Sequence, residues 1–333
     1  MSQLNDIQPG EITIGVVGLG LMGCSITVCF LLAGHPVVAV APIPVDMETA
    51  IPRIREHLIR SLEHGLTTEP PEYYLNRLVL TEDYGQLRDC RVVVECTIEN
   101  LEIKKSVYAK IEAVVADDCI ITSNTSAIPI SILQRETCLP ARFLGLHWAE
   151  PSHTTRFLEI ICGDLSDVGQ AEWLYRLAHR WAKEPTLVRR DIRGFISNRL
   201  MYALFREAFN LVENGYATVE DVDRACRNNG GYWMTLVGPF RWMDLTGVPA
   251  YHTVLKDLFP TLSNRTDVPK LIDDIVQAGG KGVQNAQGFY DYSEEEARLW
   301  KETYEQYSYD IRQLALKYPA DVVKKKLEGE NGA

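Results

Sequence analysis

The chain has no uninterrupted apolar run long enough to span a bilayer, and its first ten residues, Met1 to Gly10, are polar and acidic rather than signal-like. No membrane segment is expected, and the reading is of a cytoplasmic protein. Basic residues are in deficit: 34 Lys and Arg stand against 45 Asp and Glu, a formal net charge of -11. The one basic run, Lys324-Lys325-Lys326, sits in a stretch that reads as a frayed tail, so the balance argues against nucleic acid as a partner. The eight cysteines, at 24, 29, 90, 96, 119, 138, 162 and 226, form no C-x-x-C pair and no Cys/His cluster of zinc spacing. No metal is expected, and the cysteines read as small buried apolar residues, Cys24 and Cys29 among them. Internal repeats and low-complexity stretches are also missing. What remains is ordinary: 333 residues, 46% hydrophobic and 24% charged, are enough for two soluble domains with real cores.

The most informative segment is Gly18-Leu19-Gly20-Leu21-Met22-Gly23, directly behind the apolar run Ile12 to Val17 and directly ahead of a helical pattern from Cys24 to Ala33. A G-x-G-x-x-G between a strand and a helix lets a pyrophosphate approach bare Cα atoms and the free N–H groups of the helix N-terminus, which points to dinucleotide binding. The alternative is a glycine turn that only packs helix on sheet. Further β-rich runs alternate with helical stretches: Val37 to Ala41, Val92 to Cys96, Cys119 to Ser123, Phe143 to His147 and Leu158 to Cys162. The fold class is therefore α/β, a Rossmann-like, doubly wound, mostly parallel sheet. Near Asn198 the pattern changes to a long helix carrying Leu200, Ala203, Leu204, Ala208, Leu211 and Val212, and the rest of the chain reads as all-α. The expected domains are 1–190 for the dinucleotide, 191–322 for substrate and dimerisation, and 323–333 as a flexible tail. A helix as apolar as Met201 to Val212 has more surface than a small helical domain covers, so a homodimer through that domain is expected.

His147 ends the run Leu144-Gly145-Leu146, where open α/β sheets present functional side chains. Glu159 lies inside the apolar strand Phe157 to Ile161, where a carboxylate is costly without a partner, and His147 is the candidate. Such a pair fixes the imidazole tautomer and leaves the other nitrogen as a base. A histidine satisfied by a backbone carbonyl and a glutamate on an exposed edge are the alternative. Ser123-Asn124-Thr125-Ser126 also follows a β-run and points at the same cleft, and Asn198 sits where the second domain begins; both read equally as caps or turn formers.

Together these segments resemble the L-3-hydroxyacyl-CoA dehydrogenase family, whose relatives include L-gulonate 3-dehydrogenase, carnitine dehydrogenase and lambda-crystallin. The likeness covers residues 11 to about 295. It rests on the glycine loop, on Glu95-Cys96-Thr97-Ile98-Glu99-Asn100 followed by Lys104, and on Ser123 to Ser126. His147 with Glu159, Gly194 to Arg199, Gly238-Pro239-Phe240 with Asp244 and Gly247, and Lys281-Gly282 with Gly288-Phe289-Tyr290 complete it. The resemblance implies that His147 takes a proton from a secondary alcohol while hydride passes to nicotinamide, and that Glu159 orients His147. It implies that Ser126 and Asn198 hydrogen-bond substrate oxygens. The cofactor contacts it implies are Gly18, Gly20, Leu21, Met22, Gly23, Ala41, Glu99, Lys104 and Asn124.

Three departures stand out. Val40-Ala41-Pro42 replaces the acid that the family places at the end of its second strand to bind the adenosine ribose; no Arg or Lys appears before Arg53, and NAD is preferred to NADP. Ser61 to Glu69 lacks the lysines that meet coenzyme A phosphates in acyl-CoA members. Glu150 in His147-Trp148-Ala149-Glu150-Pro151 replaces the amide of the family pattern, an exchange expected either to raise the His147 pKa or to recognise a cation on the substrate. Trp148, Trp233 and Trp242 read as core packing, with an aromatic wall for that cation as the alternative. Ser61, Glu150 and Trp242 are thus the candidate substrate contacts. The expected activity is NAD-dependent interconversion of a 3-hydroxyacyl thioester and its keto form. A free 3-hydroxy acid, gulonate- or carnitine-like, and a non-catalytic binding protein are the alternatives.

Overall fold

A computed structural model describes residues 8–329 of the chain. The chain divides into two compact units, residues 1–197 and 198–333. The first holds one eight-stranded sheet: β1 (Ile14–Val17), β2 (Val37–Val40), β3 (Leu78–Thr81), β4 (Val92–Glu95), β5 (Ile120–Ser123), β6 (Phe143–His147), β7 (Glu159–Cys162) and β8 (Thr186–Val188). Their order is β3-β2-β1-β4-β5-β6-β7-β8. Winding reverses between β1 and β4, the place where such sheets open a crevice at their carboxyl ends. The helices around the sheet are α1 (Leu21–Leu32), α2 (Pro44–Glu63), α3 (Pro71–Leu75), α4 (Leu101–Glu112), α5 (Ile130–Leu133) and α6 (Val168–Ala178).

The central strands are buried on both faces, which is why they read as continuous apolar runs rather than alternations. Ile14, Val16, Val92, Val94 and Leu144 point to the face covered by α1 and α6, while Val17, Val93, Ile121 and Phe143 point to the face carrying Val107, Tyr108 and Ile111 of α4. β3 and β8 are absent from the sequence reading. Both are short and end the sheet, and their half-exposed residues carry no strong pattern. β7 runs antiparallel to β6, with Leu144 opposite Cys162 and His147 opposite Glu159. The segment 148–158 contains no helix, and a parallel return needs one. Of the cysteines, Cys24, Cys29, Cys90, Cys119 and Cys162 are buried, but Cys138 is exposed, in the loop before β6.

The second unit is helical: α7 (Ser197–Glu213, entering from the first unit), α8 (Val219–Ala225), α9 (Gly231–Met234), α10 (Pro239–Thr246), α11 (Val248–Leu258), α12 (Lys270–Gln277), α13 (Glu294–Lys317) and α14 (Val322–Leu327). Gly215, at φ +72°, closes the turn after α7, and the Thr218 hydroxyl caps α8 by accepting from the Asp221 N–H. Lys324 to Lys326 lie on α14, where a flexible tail is expected; 330–333 fall outside the described residues. From α7 to α12 the helices bury no side chain fully. No helix among the described residues is long and apolar enough to cross a membrane.

Candidate active site

Between β1 and α1 the glycine loop is shaped by contacts that admit only hydrogen at two positions. Gly18 has φ +93°, and a Cβ there would meet the Cys96 carbonyl oxygen at 2.9 Å. A Cβ on Gly23 would lie 1.8 Å from the Gly18 carbonyl oxygen. At Gly20, the N-cap of α1, a Cβ would meet nothing within 4 Å, so the loop is open on the side where the first-turn N–H groups emerge. This cradle fits the pyrophosphate of a dinucleotide. Leu21 is exposed and Met22 half-buried beside it; Ala41 follows β2 and is buried.

Across the switch point, Glu95 ends β4 fully buried and fully partnered. One carboxylate oxygen accepts from Thr97 N at 2.6 Å and Lys104 Nζ at 3.0 Å; the other accepts from Lys104 Nζ at 2.9 Å, Ser123 Oγ at 2.7 Å and Tyr108 Oη at 3.1 Å. Lys104, expected beside the cofactor, is wholly enclosed, with Glu99 at 3.5 Å as a second acid. Glu99 itself grips the turn after β5: one oxygen accepts from the N–H groups of Ser126 and Ala127 at 3.1 and 3.0 Å and from the Thr125 hydroxyl. Burial works against this carboxylate, yet those bonds and Lys104 hold its pKa below the ordinary value. Glu99 thus fixes the backbone that carries Ser126. Asn124 accepts from Trp148 N at 3.2 Å, tying the ends of β5 and β6 together.

The antiparallel register brings His147 and Glu159 side by side. Nδ1 of His147 lies 2.9 Å from Glu159 Oε2, and Nε2 lies 3.1 Å from the exposed Ser126 hydroxyl. Glu159 Oε1 accepts from the N–H groups of Ile196 and Ser197 at 3.0 and 2.9 Å, and Oε2 from the Ser197 hydroxyl at 2.9 Å. Burial raises the cost of its charge, but the bonds from His147 and Ser197 outweigh it and depress the pKa. Gly194 and Phe195, at φ +81° and +51°, make the left-handed turn that aims those two N–H groups. A bulky residue held there is strained, by on the order of 1–3 kcal/mol. The Phe195 ring packs at 5.4 Å from the imidazole, and Phe157 meets it edge-on at 5.5 Å. A base with one nitrogen anchored and the other beside a hydroxyl is equipped to remove a proton from a substrate alcohol.

Other expected residues lie elsewhere. Ser61 is fully buried, and its hydroxyl donates to the His57 carbonyl at 2.7 Å, one helical turn back. The Glu150 carboxyl hydrogen-bonds Ser25 of α1 and the Ser152 N–H, and burial pushes its pKa up to about 7. Trp148 is core: it stacks on Trp181 at 5.8 Å and meets Phe30 edge-on, with the Lys183 ammonium 5.0 Å from its ring. Asn198 and Trp242 belong to the second unit, where Trp242 stacks face to face on Trp233 at 5.1 Å. Glu95 and Ser197 lie in segments that carry the resemblance, but the sequence assigned neither a role. The signal for Glu95 was there, since an acid closing the run Val92-Val93-Val94 poses the same problem as Glu159.

Comparison with known proteins follows the same division. Residues 13–192 match the NAD binding domain of 3-hydroxyacyl-CoA dehydrogenase, and residues 194–292 match its C-terminal domain. The 5-formyl-3-hydroxy-2-methylpyridine 4-carboxylate 5-dehydrogenase of Mesorhizobium japonicum is 31% identical over 86% of this chain and 92% of its own. A 3-hydroxybutyryl-CoA dehydrogenase of Mycobacterium tuberculosis is 31% identical over 84% of this chain and 98% of its own. Among solved structures, a 5-formyl-3-hydroxy-2-methylpyridine 4-carboxylic acid 5-dehydrogenase, described as an NAD+-dependent dismutase, superposes with a TM-score of 0.84 at 30% identity, covering 92% of this chain and 99% of that one. The (S)-3-hydroxybutyryl-CoA dehydrogenase of Ralstonia eutropha gives 0.70 at 27% identity, covering 84% and 99%.

Proposed function

Because this chain belongs to the 3-hydroxyacyl-CoA dehydrogenase family and is an NAD-dependent dehydrogenase of that type, we propose that His147 is its catalytic base, Glu159 the acid that orients it, and a free hydroxy acid its substrate. The observation that carries the chemistry is the chain of contacts from Ser197 through Glu159 and His147 to Ser126. Bound NAD supplies the hydride acceptor. His147 Nε2 takes the hydroxyl proton, Glu159 stabilises the imidazolium that results, and Ser126 hydrogen-bonds the substrate oxygen as it becomes a carbonyl. Glu99 holds the Ser126 turn in place. For Asn198 the family resemblance alone implies a second substrate contact.

The choice of a free acid rests on α2 and the loop after it. Between Ser61 and Glu69 there is no lysine or arginine to receive coenzyme A phosphates, and Ser61 is turned inward. The relative at TM-score 0.84 is named for a pyridine carboxylate. A 3-hydroxyacyl thioester is the second reading, favoured by the relatives named for 3-hydroxybutyryl-CoA. Exposed apolar residues of α7 support a homodimer through the helical unit.

The test is NADH production with a panel of free hydroxy acids and of 3-hydroxyacyl-CoA esters. Turnover is expected with the acids, and His147→Ala should lower kcat by at least about a thousandfold with NADH binding retained. Turnover with thioesters alone would replace the free acid by the second reading. A His147→Ala enzyme of undiminished kcat would remove the base.

A further inference from the structure

We infer that Ser197 is a positioning residue for the reaction: it clamps both oxygens of Glu159 and so holds the plane of that carboxylate against His147. The inference rests on His147 being the base, and it adds to that reading the group that keeps the partner of the base in place.

A glutamate that orients an imidazole has one soft joint. The last torsion of its side chain is broad and roughly two-fold, so a carboxylate held through one oxygen swings about that bond. Glu159 is held through both. Ser197 N donates to Oε1 at 2.9 Å while the Ser197 hydroxyl donates to Oε2 at 2.9 Å, so one residue spans the carboxylate from edge to edge. Ile196 N adds a second bond to Oε1 at 3.0 Å, and Oε2 also receives His147 Nδ1 at 2.9 Å. These donors match the roughly four lone-pair sites of a carboxylate.

The Ser197 hydroxyl has a single proton to donate and directs it at Glu159, so the residue acts through that acid rather than on the substrate oxygen. The same bond favours the ionised carboxylate, the form that only accepts and can therefore hold the Nδ1 proton. On the imidazole, the Phe195 and Phe157 rings at 5.4 and 5.5 Å limit sideways movement. Rotation of the ring is then governed by the bond at Nδ1, and with it the 3.1 Å approach of Nε2 to Ser126. All of these groups belong to the first unit.

The test is a double-mutant cycle on the full-length enzyme, with NADH formation read on whichever hydroxy acid or thioester of the panel the wild type turns over fastest. Ser197→Ala is expected to lower kcat by about tenfold, the effect of one hydrogen bond to a charged group, with KM and the Kd for NADH within about twofold of wild type. Ser197→Thr keeps the hydroxyl and should stay within about threefold of wild type. On a Glu159→Gln background, Ser197→Ala should cost less than about twofold more, because the group it acts through is already gone. The downfield NMR signal of the Nδ1 proton, assigned by its loss in His147→Ala, should shift or broaden in Ser197→Ala and return in Ser197→Thr. With His147→Ala inactive, a loss repeated in full on the Glu159→Gln background would overturn the inference, as would a Ser197→Ala enzyme of unchanged kcat and unmoved signal. An active His147→Ala enzyme would instead remove the base, and the inference with it. Should Ser197→Ala fail to fold, Ser197→Cys, close in shape but a weaker donor, takes its place.

Discussion

Burial lifts the Glu150 carboxyl to about 7, and a raised acid makes stability depend on pH in one direction. Below its ordinary value of 4.5 the group is protonated both folded and unfolded. As pH rises from there to about 7, the unfolded chain releases a proton that the folded chain keeps, so stability falls across that window, by at most about 3 kcal/mol. Glu150→Gln should flatten this part of a curve of urea midpoint against pH, and an unchanged slope would place the dependence on other groups. The same residue shows where sequence reasoning stops. Its place in the position of an amide was visible beside His147, but the side chain's contact with Ser25 is made across more than a hundred residues of chain, and no spacing encodes it. Glu159 was legible because its strand is apolar throughout and a histidine capable of pairing lay twelve positions back.

Among the elements, β4 and α4 are joined by the Lys104–Glu95 pair, both side chains at 0% exposure. Lys104→Met removes the cation and leaves a carboxylate enclosed, a loss of about 3–5 kcal/mol in unfolding free energy. Glu95→Gln added to it should restore a good part, read by denaturant melts; a single variant as stable as the parent would show that the pair contributes nothing. Strands β1, β2, β4, β5 and β6 were legible within a residue or two because both faces are buried and their residues are almost all apolar. β3 and β8 were not, since an end strand packs on fewer neighbours and tolerates polar residues such as Thr81 and Thr186. Thr218 caps α8 and Pro239 follows Gly238 at the first position of α10, both local signatures, because the start of a helix depends on neighbouring residues alone.

For the whole molecule, the helical unit offers too little interior. Leu200 and Leu204 of α7 are 61% and 50% exposed, and a hollow of about 180 Å³ lined by Phe205, Phe209, Val212, Val222, Leu271 and Phe289 lies along the same helix. The proposed homodimer predicts a sedimenting species of twice the monomer mass at micromolar concentration, and Leu200→Asp with Leu204→Asp should shift it to monomer. A wild-type protein that sediments as a monomer would leave these side chains to some other role. In the first unit, the chain reverses only once within the sheet, at β6 to β7, and His147 and Glu159 face each other across that reversal. Backbone pairing, not the excursion from Trp148 to Leu158, sets their spacing. Main-chain pairing does not depend on side-chain identity, so the spacing of the proposed proton-transfer pair is written into the register itself.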